Sequence, residues 1–195
     1  MPASPAELFR EWHDFYVLVA TASATMVGLM FVAASIGATI FNEQHRAAMA
    51  TFITPTVVHF AAVLFSGLVI VIPAHNWASL GAVLGAFGLA GTVYCAPLLV
   101  QVIIRHSFEV DRIDRLFYVL LPLIGYLLVL ASAVLLFLAS RAGADLIAVA
   151  ILVLLAAGLR NAWDMMVWIV LRSPSGGEPP PPPAAAEQGA PRADA

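Results

Sequence analysis

The stretch LIAVAILVLLAAGLRNAWDMMVWIVL, residues 146–171, decides the fold of this chain. About 20 predominantly apolar residues cross the ~30 Å hydrocarbon core of a bilayer, so this stretch is long enough to span it. It nevertheless carries Arg160, Asn161 and Asp164 near its middle. Ending the helix before Arg160 would leave residues 146–159, which are too few to cross. Arg160 is therefore expected to lie inside the membrane, about 18 Å along the helix from Arg172.

Four further apolar stretches of similar length precede it, at residues 15–41, 50–74, 80–104 and 116–139. The chain of 195 residues is 62% hydrophobic and 11% charged, with a mean hydropathy of +0.93. A soluble domain carries roughly a quarter charged residues. The sequence thus predicts an all-α integral membrane bundle of five transmembrane helices, over residues 15–172, with the lipid bilayer as its surroundings. The net charge of −3 and the lack of a basic run exclude nucleic acid as a partner.

The two ends of the chain differ in character from the bundle. Residues 1–14 predict an interfacial amphipathic segment, with Ser4 as N-cap, Pro5 at the first helical position and Glu7 closing a capping box. The aromatic rings around its end are expected at the level of the lipid headgroups. Residues 173–195 are rich in proline and alanine, including the run Pro179 to Pro183, and predict a disordered tail.

Small residues predict where helices approach one another. In the first span Thr21, Thr25, Gly28, Val32 and Ser35 recur at helical spacing, and in the third span Gly81, Gly85 and Gly88 lie on nearly one face. Small side chains let helix backbones approach closely, which in lipid replaces a hydrophobic driving force. Both faces are expected to be inner seams of the bundle. The alternative is a homodimer face at Gly81 and Gly85.

Polar residues inside the spans predict one candidate site. Asp164 follows Arg160 by one helical turn and is expected to pair with it, since a lone charge at the helix centre costs about 2.5–3.5 kcal/mol on insertion scales. His59 in the second span and Ser35 in the first lie at a similar depth, and Asn161 borders the same face. The predicted cluster of Arg160, Asp164, His59, Asn161 and Ser35 points into the bundle. It is either a structural clasp or a site for an ion, a proton or a ligand.

Known catalytic and metal-binding patterns are absent from the sequence. It has no nucleophile elbow, zinc-binding histidine pair, phosphate-binding loop or dinucleotide fingerprint, and its single cysteine, Cys95, cannot form an intramolecular disulfide. No metal and no cofactor are therefore expected. A b-type haem held by His59 and His106 is a remote alternative, because axial histidines on two helices would suit it.

One part of the chain resembles known proteins. The stretch Trp12-His13-Asp14-Phe15-Tyr16, together with Thr25-Met26-Val27-Gly28-Leu29-Met30-Phe31-Val32-Ala33-Ala34-Ser35-Ile36-Gly37, resembles the opening of small, uncharacterised, polytopic bacterial inner-membrane proteins. The resemblance covers mainly the first span and implies a bacterial inner (plasma) membrane location. It supplies no activity and no functional residues.

Two functions remain open from the sequence. The first is a non-enzymatic component that interacts with, senses or regulates another membrane protein, or a second copy of itself. The absence of catalytic motifs, the short loops and the small-residue seams favour it. The alternative is a small transporter or channel for an ion or small solute that uses the intramembrane Arg/Asp/His cluster, since intramembrane charges often mark such pathways.

The distribution of arginine near the span ends predicts the orientation. Arg10 and Arg141 lie on the side of the N-terminus, whereas the other side holds Arg46, Arg105, Arg112, Arg115 and Arg172. Cytoplasmic loops carry an excess of basic residues, so the N-terminus is expected outside and the C-terminus in the cytoplasm.

A reporter fusion tests this orientation. A phosphatase that is active only outside the cytoplasm, fused after Arg172, should be inactive, whereas a fluorescent protein that folds only in the cytoplasm should be bright there. The same two reporters fused ahead of Ser4 should give the opposite pattern. An active phosphatase after Arg172 would reverse the assignment.

Overall fold

The computed structural model describes residues 4–40, 43–104 and 116–172. Over this part of the chain the secondary structure is helical, without strands, and five helices are long and apolar enough to cross a membrane. The predicted fold class is therefore confirmed. The helices are α1 (Pro5–Phe9), α2 (His13–Ile40), α3 (Glu43–Val71), α4 (Trp77–Ile104), α5 (Leu121–Phe137) and α6 (Ala142–Arg172), with a π-helical segment at Leu116–Leu120. The proline-rich stretch 173–195 lies outside the described residues.

Local sequence signals set the turn between α3 and α4. Helix α3 ends at Val71 rather than at the predicted residue 74, because Pro73 disfavours helical geometry in the residue before it. Helix α4 begins at Trp77, before the predicted residue 80, because Asn76 caps it. The Asn76 side-chain oxygen accepts a hydrogen bond from the Ser79 backbone N–H at 2.8 Å, and the Ser79 hydroxyl accepts one from the Asn76 N–H at 3.0 Å. This reciprocal pair satisfies two amide groups at the helix start.

Helix α5 is bounded by two irregular features. Pro122 lies inside the fourth span, in the first turn of α5 and directly after the π-helical segment. At the other end Ala139 adopts a left-handed conformation with a φ of 56°. The N–H groups of Ala139 and Ser140 donate to the carbonyls of Leu136 and Leu135, the pattern of a Schellman cap. This cap ends the helix at Phe137, two residues before the predicted limit.

The N-terminal segment packs onto one end of the bundle. The Ser4 hydroxyl accepts a hydrogen bond from the Glu7 N–H at 3.3 Å, which confirms the predicted N-cap. Phe9 and Tyr16 are buried against each other in an edge-to-face contact. The Tyr16 hydroxyl donates to the carbonyl of Ala144 on α6 at 3.3 Å. Tyr16 is thus a packing anchor that ties the start of α2 to the first turn of α6.

Four of the long helices form a ring, and α2 lies outside it. Around the ring, α3 packs on α6, α6 on α5 and α5 on α4, and a smaller contact between α4 and α3 closes it. The ring-to-ring stacking of Phe65 on Phe87 belongs to that last contact. Helix α2 packs chiefly on α3 and touches α6 only slightly. One broad face of α2 therefore has no helix against it within the described part of the chain.

The glycines of the third span form an inner seam against α5. A Cβ added at Gly81 would lie 2.9 Å from the carbonyl oxygen of Ala133, and one added at Gly88 would lie 2.9 Å from the backbone nitrogen of Leu130. Gly85 has more room, because its added Cβ would be 3.6 Å from the Ala133 Cβ. Gly81 and Gly88 are thus covered by α5, as the seam prediction required. Gly81 is covered by α5 and cannot also form a homodimer face, whereas Gly85 is half-buried beside it.

The small-residue face of α2 was predicted wrongly. Gly28 and Ser35 are exposed on the outside of the bundle, and a Cβ added at Gly28 would meet nothing within 4 Å. The hydroxyls on this face bond to carbonyls of their own helix, from Thr21 to Val17 at 2.8 Å and from Thr25 to Thr21 at 2.9 Å. Because these hydroxyls are satisfied locally, they do not need a place inside the bundle.

Gly88 and Gly85 differ in how closely α5 approaches them, so they give a matched test of the seam. Gly88→Ala should lower the free energy of unfolding in detergent by about 1–3 kcal/mol, because the added methyl group meets backbone atoms of α5 that cannot yield without a helix shift. Gly85→Ala is the control and should be nearly neutral, since its Cβ makes an ordinary contact. Equal effects of the two changes would show that α4 and α5 do not approach as described.

Candidate functional site

Helix α6 carries the charged pair and an amide at one level. Asn161 lies on the packed face of the helix and is 1% exposed. The side chains of Arg160 and Asp164 are 35% and 25% exposed, which places them at the border between that face and the outside. The predicted inward orientation therefore holds fully for Asn161 and only in part for the two charges.

The expected ion pair is present. A guanidinium nitrogen of Arg160 contacts the Asp164 Oδ1 atom across one turn of α6. Pairing of this kind removes much of the cost of placing an isolated charge at this depth. The second carboxylate oxygen, Oδ2, is buried and has no hydrogen-bond partner among the described residues.

His59 has a different partner from the one expected. Its Nδ1 atom lies 3.0 Å from the Tyr126 hydroxyl on α5, and both side chains are buried. The predicted direct chain from His59 through Asp164 to Arg160 is thus not formed. Helices α3 and α5 occupy opposite positions in the ring, so the contact between His59 and Tyr126 crosses its centre.

Gly91 makes this crossing contact possible. The ring of Tyr126 lies over Gly91 on α4, where an added Cβ would collide with the ring carbons. The absence of a side chain at this position lets the tyrosine reach into the middle of the ring of helices. Cys95, one turn further along α4, is buried as well.

Ser35 does not join the site. Its hydroxyl donates to the carbonyl of Phe31 at 2.8 Å, and the residue is exposed on the outer face of α2. The interior-facing side of α2 carries Ser23, Met30 and Ala33 instead. The site therefore comprises His59, Tyr126, Arg160, Asn161 and Asp164, which we call the polar layer.

Sequence reasoning missed Tyr126, and one signal could have identified it. Tyrosine in membrane proteins is enriched at the two interfaces, where its hydroxyl reaches water. Tyr126 instead lies well inside the span Tyr118–Phe137. A tyrosine at that depth needs an internal partner for its hydroxyl. His59 is the residue that supplies this partner.

The chemistry available to the polar layer is hydrogen bonding and charge neutralisation. Among the described residues no group of three or more His, Cys, Asp or Glu side chains could hold a metal ion. His106, the second histidine of the haem alternative, lies outside the described residues. Within the layer the pairs are a base with a phenol and a cation with a carboxylate.

Comparison with protein-family models, with curated proteins and with solved structures gives no match to this chain.

The ion pair gives a stability prediction. Asp164→Asn should lower the free energy of unfolding by about 1–3 kcal/mol, because it leaves Arg160 without its carboxylate in a partly buried position. The double variant Arg160→Met/Asp164→Leu should recover most of that loss, since it removes both charges together. Denaturant or thermal unfolding in the same detergent measures both. An Asp164→Asn protein as stable as the wild type would contradict a clasp role for the pair.

Proposed function

We propose that this integral membrane protein is a non-enzymatic interaction or regulatory component of a bacterial inner membrane, which binds a helix of another membrane protein through the outer face of α2. The N-terminus lies outside and the C-terminus in the cytoplasm. The single observation that carries the proposal is the exposed row of small residues on a helix that has only one principal neighbour in the chain.

The outer face of α2 suits close helix approach. Around Gly28 the space is open, and the neighbouring hydroxyls of Thr21, Thr25 and Ser35 are directed back to their own helix. Apart from Val32 the row presents small side chains and no unsatisfied hydroxyl, and the exposed side chains of Leu29, Phe31 and Ile36 border it. Interfaces between transmembrane helices are enriched in this kind of surface, because backbones can then approach within van der Waals contact.

The chain itself uses the same arrangement elsewhere. On α4 the glycines at 81 and 88 bring the helix against the backbone of α5. On α2 an equivalent row faces outward, and within the described residues no helix fills it. This contrast favours a partner helix from another protein as the occupant.

A transporter or channel is the second candidate, and the polar layer is the observation that favours it. Intramembrane charged residues frequently line ion or solute pathways. Against this candidate, His59 and Asn161 are each only 1% exposed, so neither is reached from the surface of the described bundle. The interaction role needs no such access.

Gly28→Leu tests the interaction role. The variant should keep the wild-type melting temperature in detergent, because its side chain enters open space, and should lose the larger complex that the wild type forms in native membranes solubilised with mild detergent. Native gel electrophoresis with detection of the chain gives the complex size.

Ala156→Leu is the control. It adds comparable bulk to an exposed position on a different helix, α6, and should leave the complex intact. A wild-type chain that migrates as a monomer, or a complex that survives Gly28→Leu, would contradict the proposed function.

A further inference from the structure

The polar layer contains four buried polar atoms that have no hydrogen-bond partner among the described residues. They are the Nε2 atom of His59, the Nδ2 and Oδ1 atoms of Asn161 and the Oδ2 atom of Asp164. A primary amide can make up to four hydrogen bonds, and the Asn161 side chain makes none. Hydrocarbon and packed apolar side chains cannot supply them, so unsatisfied groups at this depth are strongly disfavoured.

Packing between α3 and α6 brings these atoms to one level of the bundle. Phe60, next to His59, lies against Gly158, where an added Cβ would be 2.9 Å from the ring. Phe60 also shares a packing cluster with Ala162 and Met165. Asn161 lies between Gly158 and Ala162 in the sequence, and Asp164 is less than one turn further on. His59 on α3 and Asn161 and Asp164 on α6 thus lie at the level at which Phe60 packs on Gly158.

The chemistry of the four atoms selects the occupant. Asn161 supplies both donors and an acceptor, Asp164 supplies an acceptor, and the charge of Asp164 is already balanced by Arg160. A metal cation would require several converging oxygen or nitrogen ligands, and the described residues provide no such group. Water donates and accepts equally, and buried water typically makes about three hydrogen bonds to groups that otherwise have none.

We propose that the polar layer encloses a binding site for ordered water between α3 and α6, at which water bridges Asn161 to His59 and to the Asp164 carboxylate. The site is independent of the interaction surface on α2. Through it the contact between His59 and Tyr126 and the ion pair of Arg160 and Asp164 become one hydrogen-bonded network that joins α3, α5 and α6.

Radiolytic labelling in lipid nanodiscs tests the site. In a millisecond X-ray pulse bound water is a local source of hydroxyl radicals, and mass spectrometry identifies the oxidised residues. His59 and Met165 should be oxidised several-fold faster than Tyr16, which reacts readily with hydroxyl radicals and is equally buried, but belongs to a different packing cluster. Asn161→Leu should reduce oxidation of His59 to the background of Tyr16. Ser23→Ala, which removes a buried hydroxyl on α2 outside the polar layer, should leave the labelling of His59 unchanged.

Three outcomes would overturn the proposal. The first is background oxidation of His59 and Met165 in the wild type, a result that needs no variant to fold. The second is a higher melting temperature for Asn161→Leu, because a gain in stability means that the amide was buried dry. The third is oxidation of His59 in Asn161→Leu that stays as fast as in the wild type, which would show that the amide of Asn161 does not hold the water. Loss of the α2-dependent complex would have no bearing on any of these readouts.

Discussion

The structure depends on one constraint, which is that hydrocarbon offers no hydrogen bonds. Every polar group inside the membrane must find its partner in the chain or in trapped water. Backbone groups meet this demand by helix formation, and side chains meet it in two ways. Hydroxyls on the outside of α2 turn back to carbonyls of their own helix. Side chains inside the ring reach another helix, as the Ser132 hydroxyl on α5 does when it donates to the Gly143 carbonyl on α6 at 2.8 Å. The first solution leaves a residue free to face lipid, whereas the second determines which helices meet.

This distinction explains what could be predicted from the sequence. The five spans follow from the length and apolarity of each stretch, and the start of α1 follows from Ser4. The Asn76 cap is equally local, but it was not recognised, and α4 begins three residues before the predicted limit. The pairing of Arg160 with Asp164 is likewise local, because a spacing of four residues brings the two side chains together on any helix. Features that are determined within one helix could therefore largely be predicted from the sequence.

Features that depend on contacts between helices could not be predicted from the sequence. Gly28 and Gly88 have the same small-residue surroundings in the sequence, yet one faces outward and the other lies against α5. In a membrane both faces of a helix are apolar, so periodicity does not distinguish inside from outside as it does in a soluble protein. His59 was correctly placed inside the bundle, but its partner was assigned by depth alone. Depth does not reveal that Gly91 leaves room for the ring of Tyr126, whose hydroxyl then contacts His59.

The position of α6 in the ring has a consequence for biogenesis. Helix α6 is synthesised last, yet it packs on both α3 and α5. Until it enters the membrane, Phe60 and the side of α3 next to His59 have no α6 against them. This polar side of α3 therefore stays uncovered, at the insertion machinery or among lipids, until the ribosome has synthesised about a hundred further residues. The ring of helices can consequently assemble only after α6 has been inserted. Truncation of the chain before α6 would leave the polar face of α3 uncovered.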